Sequence, residues 1–263
     1  MSVIPRVVLA GGKASAELAA QIGTSVRAAA MFQGRRLLDI VVDALIEADP
    51  LSPVCVVGDV SDHTSYTRIA DQGDYVSNLF AGVAVYAGAD WLLVTSADIP
   101  FLSGPAVEEF CSAARTLAAA TRADIVYPIV PVSECYARYP GIKRTAIKLR
   151  EGEFTGGNIM LARPSFLLEK RDLIGRAFAA RKDPLRLAWM LGLGTVARLF
   201  VSQVAVPGAL TLELLEKRVG SLVGGRVAAL ICSRPEIATD LDRASDFAHA
   251  VAHGNVDRPA SGG

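Results

Sequence analysis

The segment Val7-Val8-Leu9-Ala10 runs directly into Gly11-Gly12. An uninterrupted apolar run of this kind reads as a strand buried on both faces, and such strands belong to parallel sheets covered by helices. The double glycine lets the chain turn sharply at the carboxyl end of that strand, with no side chain to keep a ligand from the backbone amides. In open α/β sheets this edge is where nucleotides bind.

The rest of the chain keeps the same rhythm. Val54–Gly58, Trp91–Thr95, Asp124–Val130 and Arg226–Ser233 are further short apolar runs. Between them, Leu37–Ala48, Asn78–Ala87 and Val107–Ala119 read as helices, the first with Leu38, Val41, Val42 and Leu45 at helical spacing. Strand and helix in turn predict an α/β fold, a mainly parallel, Rossmann-like sheet flanked by helices. Glu153–Ala162 reads as one more strand with Gly156-Gly157 inside it, marking a bulge or a close backbone approach. Residues from about 165 to 223 read as a helical insertion near the C-terminus, Asp240–Ala252 as a turn and closing helix, and 254–263 as a disordered tail. The expected organisation is a single domain over residues 1–253.

Composition narrows the functional class. With 51% hydrophobic and 21% charged residues the chain is globular, and its 27 basic residues balance 27 acidic ones. A neutral total gives no support for nucleic-acid binding. Cys55, Cys111, Cys135 and Cys232 lack paired spacing and read as reduced thiols. Trp189–Val206 is the most membrane-like stretch, but it carries Arg198 and Gln203 and is broken by Gly192 and Gly194. It predicts buried helix and turn rather than a span. No signal-peptide pattern opens the chain, so a cytoplasmic protein is expected, with homo-oligomerisation left open.

Four sets of residues suggest chemistry. The amides of Gly11-Gly12 can cradle phosphate oxygens, although neither GxGxxG nor GxxxxGK[ST] is present. Asp98, in Thr95-Ser96-Ala97-Asp98-Ile99-Pro100, places a carboxylate just beyond a buried strand, a hard oxygen ligand suited to Mg²⁺. In Asp240-Leu241-Asp242, alternation points both acids the same way if the segment is extended, whereas Asp246 is placed to start a helix. One carboxylate makes a poor Mg²⁺ site; two from separate loops make a credible one. Arg27 follows the first loop, and Lys143, Arg144 and Lys148 precede Thr155-Gly156-Gly157-Asn158, where cations offset phosphate charge. Lys143 and Arg144 read equally well as solvated surface charges. His63, His249 and His253 show no triad or metal spacing and read as solvated, and no GxSxG element supports nucleophilic hydrolysis.

Taken in order, Leu9-Ala10-Gly11-Gly12, Arg27 and Gly34-Arg35-Arg36-Leu37-Leu38-Asp39 resemble the start of the MobA-like nucleotidyltransferase superfamily. Its pattern is a glycine-rich loop, a basic residue and G-K-P-L-L opening a helix. Asn78-Leu79-Phe80-Ala81-Gly82 resembles the segment that contacts the nucleoside. Thr95–Pro100 resembles the strand end whose aspartate binds metal, and Asp240–Asp246 is similar to the closing D-x-D-x-x-x-D element, whose middle Asp adds a second metal contact. Lys143-Arg144-Thr145, Phe154–Asn158 and Arg181-Lys182-Asp183-Pro184-Leu185 look like marks of a subgroup.

The resemblance implies a GT-A-like fold and Mg²⁺-dependent transfer of a nucleotidyl group from an NTP to a phosphate- or hydroxyl-bearing small molecule, releasing pyrophosphate. It implies catalytic roles for Arg27 and Asp98, and metal binding by Asp98 and Asp242. Nucleotide or acceptor contacts are implied for Leu9, Ala10, Gly11, Gly12, Asn78, Gly82, Gly157 and Asn158. The chain departs from better-known members in two places. Lys13-Ala14-Ser15-Ala16-Glu17 stands where their loop reads GG-x-S-x-R-M-G, and Arg35-Arg36 stands where they have G-K-P. A non-catalytic nucleotide-binding protein of the same fold is the alternative, with a GT-A glycosyltransferase behind it.

Overall fold

The computed structural model describes residues 3–180 and 210–253. Trp189–Val206, Arg181–Leu185 and 254–263 lie outside the described residues. The strands are β1 (Arg6–Leu9), β2 (Met31–Phe32), β3 (Arg35–Arg36), β4 (Val54–Val57), β5 (Thr67–Ile69), β6 (Leu92–Ser96), β7 (Ile125–Pro131), β8 (Ile147–Leu149), β9 (Gly152–Gly156), β10 (Ile159–Ala162) and β11 (Val227–Ile231). The helices are α1 (Ala16–Ile22), α2 (Leu37–Ala48), α3 (Tyr75–Val85), α4 (Gly104–Thr121), α5 (Val132–Arg138), α6 (Pro164–Glu169), α7 (Arg171–Ala180), α8 (Leu212–Val223) and α9 (Ala244–His253).

Nine strands form one sheet in the order β5-β4-β1-β6-β10-β7-β9-β8, with β11 beside β7. β5, β4, β1 and β6 run parallel, while β10 lies antiparallel between β6 and β7. The sheet is therefore mixed and mostly parallel, flanked by helices. Register matters for function here: Leu9 of β1 pairs with Ser96 of β6, so both strands release their loops at the same edge.

β1 shows why an all-apolar strand is required. Val8 packs on one side with Leu38, Val41 and Leu45 of α2 and Val107 and Phe110 of α4. Val7 and Leu9 pack on the other with Leu79, Phe80 and Val83 of α3 and Phe166 and Leu167 of α6. Successive side chains point to opposite faces, and both faces are dry. α2 spans the predicted residues. α3 begins three residues earlier than expected because Asp74 caps it, accepting from Val76 N at 2.9 Å and Ser77 N at 3.1 Å.

The segment Glu153–Ala162 departs from the single strand expected of it. It is two strands, β9 and β10, both antiparallel to β7 but separated at Gly157-Asn158. The cause lies in β7, whose Pro128 has no N–H to continue the ladder. Gly157 N donates to Pro128 O at 2.9 Å, and Asn158 N turns away to Ile237 O at 2.9 Å. A β-carbon on Gly157 would fall 2.7 Å from Pro128 Cγ, so the two chains meet closely where the ladder breaks.

Candidate active site

At the carboxyl ends of β1 and β6 lies a cavity of about 400 Å³, walled by Leu9 to Lys13, Arg27, Ala28, Tyr75, Asn78 and Ser96 to Asp98. Seven of the residues assigned from sequence therefore share one cavity: Leu9, Ala10, Gly11, Gly12, Arg27, Asn78 and Asp98.

The first loop delivers Arg27. Lys13 bridges Val26 in antiparallel fashion, Ala14 N donates to Ser25 O at 2.9 Å, and Arg27 N donates to Gly12 O at 3.0 Å. The excursion between them is α1, capped by Ser15 and ended by Gly23 in the left-handed region at φ 71°. The loop closes on itself so that Arg27 stands against the glycines.

Each glycine of the pair makes room for a side chain. A β-carbon on Gly12 would fall 2.8 Å from Nη2 of Arg27, and one on Gly11 would fall 2.7 Å from Oδ1 of Asp71 and run into the Asn78 amide. Asn78 in turn is buried, donating to Asp71 Oδ1 at 2.6 Å and accepting from Gln72 N at 2.7 Å. The sequence reading left Asp71 out, since nothing in its local pattern distinguishes it from a turn residue.

Arg27 Nη1 lies 3.0 Å from Asp98 Oδ2 and also contacts Asp242 Oδ1. Its Nε is buried and has no hydrogen-bond partner. Asp98 is 8% exposed. Burial raises its carboxyl above the ordinary range; Arg27 works against that shift, and Asp240 adds to it. Ser96 Oγ, buried and lacking a complete hydrogen bond, is close enough to favour the ionised form. The closing segment is pinned directly to this residue, since Leu241 N donates to Asp98 O at 3.1 Å.

Four other assigned residues do not line the cavity: Asp242, which meets its wall through Arg27, and Gly82, Gly157 and Asn158. Gly82 lies inside α3, where a β-carbon would run into Val7 and stand 3.1 Å from Val57 Cγ2; its role is close packing of α3 on β1 and β4. Gly157 is held by Pro128, as above. Asn158 touches the site through its carbonyl, which accepts from Ser96 N at 3.0 Å and so stations β10 beside the strand bearing Asp98. Arg144 is not the solvated charge that was one reading of it: its side chain is 6% exposed and donates to Ala238 O, Asp240 Oδ1 and Asp240 O. His249 is exposed but abuts the backbone, since a β-carbon on Gly141 would fall 2.6 Å from its Nδ1.

The oxygen donors at this point are the carboxylates of Asp98 and Asp242, both engaged by Arg27. Two carboxylates from distant loops converge on one positively charged nitrogen, and no group of three His, Cys, Asp or Glu side chains forms a metal cluster among the described residues. Mg²⁺ is commonly held by one or two protein carboxylates, with water and substrate phosphates completing its octahedron.

Comparison with known proteins bears on this cavity. No curated protein matches the chain. A hypothetical transferase structure from Thermus thermophilus is 32% identical, with a TM-score of 0.81 over 94% of this chain and 100% of that one. A 2-C-methyl-D-erythritol 4-phosphate cytidylyltransferase from the same species shares the fold at 17% identity and a TM-score of 0.53, over 95% of this chain and 98% of that one. A nucleotidyl transferase from Methanothermobacter does so at 15% and 0.52, over 96% and 98%. The family model described as MobA-like NTP transferase domain matches residues 6–163, from β1 through β10, and the chain belongs to that family of nucleotidyltransferases.

Proposed function

We propose that the protein uses Mg²⁺ to transfer a nucleotidyl group from an NTP to a small-molecule acceptor bearing phosphate or hydroxyl. The observation that carries this reading is the convergence of Asp98 and Asp242 on Arg27, whose guanidinium stands against the half-buried Gly11-Gly12 turn at the cavity wall. In the reaction an acceptor oxygen bonds to the α-phosphorus, the bond from that phosphorus to the β-bridging oxygen breaks, and pyrophosphate leaves with the electron pair. A hydroxyl acceptor gives its proton to solvent; an ionised phosphate has none to lose.

The chain contributes position and charge rather than a covalent intermediate. Amides at Gly11 and Gly12 donate to the β- and γ-phosphates, and the unpartnered Nε of Arg27 is a further donor at the cavity wall. Asp98 and Asp242 would hold the cation, which when bound supplies positive charge to the phosphate oxygens. Asn78, fixed by Asp71 and Gln72, offers a rigid wall to the nucleoside. Gly157 and Asn158 stand one strand away, on the side we assign to the acceptor. The four free thiols support a cytoplasmic setting; among the described residues no helix is long and apolar enough to cross a membrane.

The test is pyrophosphate release from each NTP with Mg²⁺, by wild type and by Asp98→Asn. The variant is expected to retain its fold and lose turnover. Full metal-dependent activity in Asp98→Asn overturns the assignment of Asp98. NTP binding without pyrophosphate release, across a panel of phosphate- and hydroxyl-bearing acceptors, favours the non-catalytic alternative.

A further inference from the structure

Arg144 lies outside the cavity, on the irregular stretch between α5 and β8, yet it grips the segment that carries Asp242. Nη1 donates to Ala238 O and, at 2.6 Å, to Asp240 Oδ1; Nη2 donates to Asp240 O at 3.1 Å. Three acceptors from two residues, met by one planar guanidinium, fix both the position and the tilt of that backbone. Leu241 secures the same segment from other directions. Its N–H binds Asp98 O at 3.1 Å, and its fully buried side chain packs with Tyr139, Ile142 and Phe247. Ile142 belongs to the stretch that bears Arg144, so both loops share a core as well as a clamp. Asp242, half-exposed at the end of this segment, reaches toward Arg27 and Asp98.

We propose that Arg144 is a positioning residue: by clamping Ala238 and Asp240 it holds the Asp242 carboxylate opposite Asp98, and so sets the affinity of the pair for a divalent cation. This rests on the assignment of Asp98 and Asp242 to the cation made above. The physical reason is preorganisation. A carboxylate on a loose segment must be ordered when the cation arrives, and that conformational entropy is subtracted from binding. A segment already fixed by the clamp escapes most of that cost.

The experiment uses Mn²⁺ alone as probe, with nucleotide-free full-length protein, and reads free Mn²⁺ by electron paramagnetic resonance. Loss of a partner that orients a metal ligand weakens affinity by about 10–100-fold, and that loss is expected for Arg144→Ala. Arg144→Lys, which keeps the charge but not the fork, is expected to recover only part of it. In an Asp242→Asn background, Arg144→Ala is expected to change Mn²⁺ affinity no further, because the clamp then has nothing to position. Melting of the metal-free proteins reports folding, and if the alanine variant does not fold the same comparison is made with Arg144→Lys. Unchanged Mn²⁺ affinity in a folded Arg144 variant, or losses at 144 and 242 that simply add, overturns the inference while leaving the proposed function standing. Wild-type protein that binds no Mn²⁺ alone is measured again with a non-hydrolysable NTP analogue, and no Mn²⁺ binding beyond that of the analogue itself overturns the cation assignment and the inference with it.

Discussion

Gly12 and Arg27 stand so close that a β-carbon on the glycine would lie 2.8 Å from Nη2 of the guanidinium. The side chain facing both carboxylates therefore rests on bare backbone. Gly12→Ala is expected to displace Arg27, and a misplacement of about 1 Å in a catalytic group costs on the order of a hundredfold in rate. Arg27 lies at the cavity wall rather than in the core, so the melting temperature should fall only slightly. Steady-state pyrophosphate release and a melting curve on the same sample check both halves.

Asn78→Ala removes two hydrogen bonds, leaving Gln72 N and Asp71 Oδ1 without that partner. Asp71 is only partly buried and Gln72 is exposed, so both can turn to water, and the loss is that of ordinary hydrogen bonds, about 0.5–1.5 kcal/mol each, which urea unfolding should show. Because the same amide forms part of the cavity wall, KM for the NTP should rise more than kcat falls.

Gly82→Ala makes the opposite prediction. The added methyl would run into Val7 beneath α3, and overpacking of this kind costs about 1–3 kcal/mol. Folded protein should keep its KM for the NTP. A raised KM with unchanged stability would return Gly82 to the nucleotide-contact role that its motif implies.

Burial pushes the thiols of Cys55, Cys135 and Cys232 up from 9.0 to about 11. The unfolded chain releases these protons first, so between those values it binds fewer protons than the native state. Stability is therefore full below the unfolded value and declines as pH rises towards the folded one. Urea midpoints measured across that window should fall, and less steeply in a variant with the three cysteines changed to alanine. The same thiols should label slowly with a disulfide reagent until urea exposes them.

Much of this arrangement was legible in the sequence because its signals are local. The apolar run before Gly11, the helical spacing over Leu37–Ala48 and the carboxylate after β6 each report on neighbours a few residues away. Relationships over long separations were not. Arg144 reads equally as a solvated cation or an acceptor ligand until Asp240 is brought to it, and Gly82 reads as a nucleoside contact until Val7 is seen beneath it. Gly157 looked like a bulge or a close approach within one strand because Pro128, which breaks the ladder, lies elsewhere in the chain. The hairpin β2–β3 and the edge strand β5 are two and three residues long, too short for periodicity to register.

The contact between Arg27 and Asp242 joins the beginning of the chain to its end. At about 5–20 residues per second, on the order of tens of seconds of synthesis separate the two. A nascent chain can assemble β1, β4 and β6 early, but the edge of β6 stays open until β10 emerges, an invitation to pairing with other unfinished chains. The carboxylate pair comes together only after Asp242 has left the ribosome. Truncation upstream of it thus leaves a chain that can bury much of its sheet while Arg27 keeps Asp98 and lacks Asp242 as a partner.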